Sequence, residues 1–428
     1  MSFQSRPSRA AAARARRLAL VCLCATWMSG ATSAVTLAAG AGSAIFIHPD
    51  GMGANTWAAV RLAEVGPDGR LAWDRLPQVA AYVGPMRDRV HASSDGGATT
   101  HAWGVRAEVE SYGMIGGRAI PAARSGAPLS LMREALAAGK AVGIVNTSSV
   151  TEPGTGAFLA AVPDTDDDAA IAAQILEARP QVILGGGERW FLPAGAKGVH
   201  GPGARKDGRD LLAEARAAGY LIVRTRAEML ALASPAGGQP VPRVLGLFRA
   251  DALFEEGSER ALARRGRSAF PAGVPRFDEM MAFAQRLLAG APQGFLLVGN
   301  EETTDNLGGD HNAAAVLEGG AGADRAIAAA LEQAARDPLL TVVVASDSDC
   351  GGLLVRGQDL PARGPLLAAP DREGRRLPFA ITWAAANDGA GGLVARGTGP
   401  GAALIRGTID STDVYRALYL GLFGRELP

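Results

Sequence analysis

The stretch Ala44-Ile45-Phe46-Ile47-His48-Pro49-Asp50-Gly51-Met52-Gly53 decides the fold. Its apolar run has no polar alternation, which suits a strand buried on both faces, the parallel-sheet case. It stops abruptly at a carboxylate flanked by glycine and a small turn. Working outward, the same pattern recurs. Short runs rich in Val, Ile, Leu and Phe lie at 44–48, 80–83, 141–146, 182–184, 221–224, 244–248, 295–299, 341–345 and 379–383. Between them, 129–138, 168–178, 208–218, 277–289 and 321–336 carry Leu, Ile and Ala at three- and four-residue spacing, and 411–423 has the pattern of a closing helix. This alternation predicts an α/β fold, a three-layer αβα sandwich around a mostly parallel central sheet. The Gly- and Pro-rich pieces 193–206, 234–242 and 351–370 read as loops within one domain spanning 35–428.

Composition narrows the function classes. The 43 basic and 43 acidic residues of the 428-residue chain balance, so neither a nucleic-acid surface nor a polybasic membrane anchor is expected. Residues 1–34 have the pattern of a signal peptide. Arg6, Arg9, Arg14, Arg16 and Arg17 form a basic region, an apolar core of roughly 11 residues follows, and Thr32-Ser33-Ala34 offers small residues for cleavage. That core is short of the ~20 residues that span a bilayer. The mature protein is therefore expected in the periplasm or secreted, with no membrane span. Cys22 and Cys24 would leave with the signal, so Cys350 remains without an internal disulfide partner.

In open α/β sheets, ligands bind beyond the carboxyl ends of the strands. Four strand ends here supply oxygen donors: Asp50; Thr147, Ser148, Ser149, Thr151 and Glu152; Glu301, Glu302 and Asp305; and Asp347 with Asp349. Each carboxylate alone would serve as a turn or helix cap. Gathered at one edge, they repel one another unless a cation sits among them. Oxygen donors suit Mg²⁺, Ca²⁺ or Mn²⁺ at least as well as Zn²⁺. A second constellation, His91-Ala92-Ser93-Ser94-Asp95-Gly96-Gly97-Ala98-Thr99-Thr100-His101, can present a hydroxyl at a helix start, where free N–H groups attract an anion.

In this order, these residues resemble the alkaline phosphatase superfamily over nearly the whole mature chain. Asp50-Gly51-Met52-Gly53 resembles the first metal-binding signature, and Ser94 to Gly104-Val105-Arg106 resembles the nucleophile segment. Thr151-Glu152-Pro153-Gly154-Thr155 resembles an acidic-x-Thr metal-binding stretch. Val182-Ile183-Leu184-Gly185-Gly186-Gly187 with Trp190-Phe191-Leu192-Pro193 is the closest verbal match, and Asp347 before Gly351-Gly352 resembles the late metal-binding strand end. The resemblance implies a metal-dependent phosphatase acting on small phosphate monoesters. Ser94 would be the nucleophile, forming a phosphoserine intermediate. Asp50, Glu152, Thr155, Glu301 or Glu302, Asp305 and Asp347 would hold divalent ions, Mg²⁺ or Zn²⁺ first and Ca²⁺ or Mn²⁺ as alternatives. A homodimer is expected by analogy. The sequence departs from the family pattern in its imidazoles: Ser348 and Gly309 stand where histidines are expected, while His101 and His311 are candidate ligands. Thr165 stands where a phosphate-clamping arginine is expected, with Arg106, Arg118 and Arg249 as candidate substitutes. A binding protein on the same fold without hydrolysis, or a related phosphodiesterase or sulfatase, is the alternative reading.

Overall fold

In the computed structural model, which describes residues 42–232, 241–360 and 365–428, the opening stretch is strand β1 (Ser43–Pro49), buried at every position. The expected signal segment lies outside the described residues. Nine further strands join β1: β2 (Gln78–Val83), β3 (Ala141–Ser149), β4 (Val182–Gly186), β5 (Tyr220–Val223), β6 (Arg243–Leu247), β7 (Phe295–Glu301), β8 (Leu340–Val344), β9 (Leu393–Thr398) and β10 (Gly407–Asp410). Their order across the sheet is β10-β2-β9-β8-β1-β7-β3-β4-β6-β5. Only β9 runs against its neighbours, pairing antiparallel with β8 and β2.

The two faces of the sheet carry separate cores. Ala44, Phe46, Val142, Ile144, Leu296 and Val298 pack with α2 (Ser94–Trp103), α3 (Leu131–Ala137), α4 (Asp168–Glu177), α5 (Leu211–Ala217) and α9 (Thr412–Phe423). Ile45, Ile47, Val145, Leu297, Val342 and Val344 pack with α1 (Ala54–Val65), α6 (Phe277–Leu288) and α8 (Ala313–Ala334). Alternate residues of each strand thus enter opposite cores, as the period of two demands, and the three-layer αβα expectation is met.

Several local expectations are corrected. The run at 379–383 lies outside the main sheet. It belongs to Pro378–Trp383, the middle strand of a small antiparallel sheet with Leu353–Arg356 and Leu366–Leu367, so part of the 351–370 loop is strand. Strand β2 is half-exposed, with Val79 and Val83 facing out, because only one of its faces is covered. Helix α8 starts at Ala313, capped by the Asn312 side chain, well before 321. Glycines 319, 320 and 322 disguise its first turns. Gly320 is there for close approach, since a Cβ would sit 2.6 Å from Val60. Helix α1 escaped notice because Gly53 precedes it without a side-chain cap. Residues 233–240 of the expected 234–242 loop lie outside the described residues. Among the described residues, no helix is long and apolar enough to cross a membrane.

Candidate metal centre

Strand register builds the site. In β1, residues 44, 46 and 48 share the face toward α2, and His48 lies beside Asn300 of β7, which in turn lies beside Asn146 of β3. Pro49 lies beside Glu301, on the opposite face. The period of two therefore separates neighbours in sequence. Glu301 turns toward α6 and α8, where it accepts from Thr147 Oγ1 at 3.0 Å and from the Thr303 N–H at 3.1 Å. Glu302, one residue beyond β7, turns to the other side and accepts from Asn300 Nδ2. Of the two glutamates expected as ligands, Glu302 faces the acidic cluster and Glu301 does not.

At the centre stand His48, Asp50 and Asp347, all buried, with one donor atom from each within 4.8 Å of the others. His48 Nε2 lies 3.4 Å from Asp347 Oδ1, and its Nδ1 lies 3.9 Å from Asp50 Oδ2. Both ring nitrogens of His48 and all four carboxylate oxygens of Asp50 and Asp347 are buried without hydrogen-bond partners. Buried polar atoms are nearly always paired, so these three residues form a donor set that could hold a cation. Nitrogen and oxygen donors together fit Zn²⁺ or Mn²⁺, and Mg²⁺ through the carboxylates.

The electrostatics agree. Burial, then the charges of Asp347, Glu302 and Asp305, push the Asp50 carboxyl well above its usual range. Burial, then Glu152, Asp305 and Asp347, does the same for Glu302. Glu152 is pushed up to about 8 by burial and by Asp168 and Asp95. For Asp347, burial is outweighed by the nearby His48 imidazole, and its carboxyl is held low. Thr155 is buried in the short helix Pro153–Gly156, where its Oγ1 accepts from Asn146 Nδ2 at 3.1 Å. Asp305, in the first turn of α7 (Thr303–Gly309), feels both Asp347 and Asp388.

Helix α2 supplies the third wall. A Cβ on Gly97 would collide with the Asp347 carboxylate, so the helix backbone lies directly against the centre. The His101 ring stands 5.4 Å from that of His48, edge to face, and bonds Tyr82 Oη at 2.8 Å. Burial, then the charge of His48, depresses the His101 imidazole to about 3, so it is neutral. Ser94, Gly97 and His101 are spaced three and four apart and share one helical face. Ser94, half-buried in the first turn, therefore lies on the face turned to the centre. His311 lies away from it, exposed and stacked on Trp383.

Sequence reasoning missed His48. The signal was present: an imidazole ends an apolar strand two residues before Asp50, hence on the same face by period. Of the candidate arginines, Arg106 is paired with Asp410, and Arg118 is exposed in a two-strand hairpin. Arg249 lines a cleft of about 550 Å³ with Ser148, Glu152, His200 and Arg265. Its guanidinium is held by Glu255 at 2.6 Å and by the Phe254 carbonyl at 3.0 Å.

Comparison with known proteins bears on this site. The model of a family described as alkaline phosphatase matches residues 42–386. The chain is 31% identical to a streptomycin-6-phosphate phosphatase of Streptomyces griseus, over 71% of this chain and 73% of that protein. It is 28% identical to the tissue-nonspecific alkaline phosphatase isozyme of Gallus gallus, over 86% of this chain and 74% of that one. Among solved structures, the alkaline phosphatase of Thermus thermophilus superposes with a TM-score of 0.70 at 21% identity, covering 94% of this chain and 96% of that one. That of the Antarctic bacterium TAB5 gives 0.70 at 18%, over 90% and 99%.

Proposed function

This chain belongs to the alkaline phosphatase family, and from that premise we propose that it hydrolyses small phosphate monoesters with Ser94 as the nucleophile. The observation that supports the reading is that Gly97 and His101 lie against Asp347 and His48, on the helical face that Ser94 shares by its spacing. His48, Asp50 and Asp347 would hold a divalent cation, with Glu302, Glu152 and Thr155 beside them. When bound, such a cation lowers the pKa of an adjacent hydroxyl and neutralises charge on phosphoryl oxygens. The Ser94 oxygen attacks phosphorus as the bond to the leaving oxygen breaks, and water then cleaves the phosphoserine. The positive N-terminal end of α2 would favour the negative phosphoryl oxygens. Ser93 caps that end by accepting from the Gly96 N–H.

The test is phosphate release from an aryl phosphate by the full chain with Mg²⁺ or Zn²⁺, beside Ser94→Ala. The variant is expected to lose roughly 10³-fold or more, as when a nucleophile is removed and binding alone remains. A phosphorylated peptide containing Ser94, trapped from the wild type, supports the covalent step. Full activity in Ser94→Ala overturns it. One observation favours a second reading, a binding protein without turnover. Arg249 is already held by Glu255, so clamping phosphate requires breaking that pair. Tight phosphate binding with no hydrolysis of monoester, diester or sulfate ester would select it.

A further inference from the structure

Beside the His48–Asp50–Asp347 centre lies a second cluster. Asp305 of α7, Cys350 of the turn after β8 and Asp388 of the loop before β9 each bring one donor atom within 4.8 Å of the others. They lie at the base of a cleft of about 390 Å³, with Glu256, Asn306, Asp310 and Asn387 around it. A buried cysteine ordinarily behaves as a small apolar side chain. Cys350 is 5% exposed, yet its sulfur faces two carboxylates. Asp305 Oδ1 is buried and has no hydrogen-bond partner.

The surroundings hold these donors in place. Cys350 N–H donates to the Gly51 carbonyl at 3.0 Å, and Gly351 N–H donates to the Asn387 carbonyl at 3.2 Å. Gly51 has a φ of +67°, and a Cβ there would sit 2.7 Å from both Asp305 Oδ1 and Cys350 Cβ. Ser348 Oγ donates to Asp388 Oδ1 at 2.7 Å, which orients that carboxylate and leaves its other oxygen for a ligand. Ser348 thus serves as a support for a donor rather than as a donor itself.

We propose that Cys350 is a metal ligand, completing with Asp305 and Asp388 a thiolate-bearing site for a zinc-class cation next to the first centre. Four-coordinate zinc places its donors roughly 3.5 Å apart, a short movement from this arrangement. Binding expels the thiol proton to solvent and leaves sulfur as the thiolate. A sulfur donor favours Zn²⁺ or Co²⁺ over Mg²⁺, so the two neighbouring sites differ in hardness. This inference rests on the metal-dependent reading above and deepens it.

The experiment is a Co²⁺ titration of the full chain, followed by absorption in the near ultraviolet, where thiolate-to-cobalt charge transfer appears. The wild type is expected to show that band. Cys350→Ser is expected to lose it, together with about one equivalent of cobalt per chain, while Asp388→Asn weakens cobalt binding at least about tenfold. Melting of each variant in chelator controls for folding, and the wild-type spectrum decides even if a variant fails to fold. Cobalt bound to the wild type without the band overturns the thiolate ligand, even if the protein releases phosphate. The band present without phosphate release retains the ligand and removes the phosphatase reading alone. No cobalt bound at all overturns both.

Discussion

At the residue scale, the alternation of Asn300, Glu301 and Glu302 makes the sharpest prediction. Glu302→Gln is expected to weaken Zn²⁺ or Mn²⁺ binding at least about tenfold, since it removes a charge from the cluster that raises Asp50. Glu301→Gln is expected to leave metal affinity within about twofold, because that side chain bonds Thr147 and Thr303 on the other face. Its cost is in stability, about 1 kcal/mol, for a weakened pair of hydrogen bonds. Metal titration and thermal melting of the two variants separate these outcomes, and equal loss of metal in both would mean that the face assignment is wrong. The sequence alone left Glu301 and Glu302 as alternatives, since either follows the strand. Register against His48 and Pro49 separates them. His48 was hidden for the opposite reason. It is quoted in the strand that decides the fold, but only the approach of Asp347 from β8 turns it into a partner.

At the element scale, α2 matters most. Its start is legible in sequence, because Ser93 is a good cap and the glycines that follow are unusual in a helix interior. The structure supplies the reason for one of them: Gly97 lets the helix backbone lie against Asp347. The cap is a testable part of the site. Ser93→Ala removes the bond from the Gly96 N–H and the bond that Ser93 Oγ donates to the Val109 carbonyl. It is expected to cost about 1 kcal/mol of stability. It is also expected to lower kcat through misplacement of Ser94, while metal content stays unchanged. Steady-state kinetics beside a metal assay check this; loss of metal with kcat intact would mean that the first turn serves the cation rather than the nucleophile. Strands β9 and β10 were not legible because they lie in the antiparallel end of the sheet or beside it. There the apolar run is broken by alternation, as Arg396 and Gly397 in β9 show.

At the scale of the whole molecule, the acidic centre burdens the fold that houses it. Glu152 moves from an ordinary 4.5 to about 8, chiefly through burial, and Asp50, Glu302 and Asp305 move in the same direction. A folded-state pKa above the unfolded value means that the folded protein holds more protons, so stability falls as pH rises through that window. In chelator, the melting temperature is expected to drop by about 3 °C or more between pH 5 and pH 8. Divalent cation is expected to restore more at pH 8 than at pH 5, because it replaces the protons and binds only the folded state. Calorimetry at the two pH values, with and without Zn²⁺, measures both effects. A melting temperature independent of pH in chelator would mean that the carboxylates do not share one buried site.

The sequence by itself determined the αβα architecture and the arrival of carboxylates at strand ends. Both follow from local rules: an unbroken apolar run must be covered on two faces, and a chain leaving a buried strand must end it with polar groups. Only the tertiary structure decided which donors meet. His48 with Asp347, and Asp305 with Cys350 and Asp388, come from segments distant in the chain. Their meeting depends on strand order and register, which packing across the whole sheet sets and no local stretch encodes.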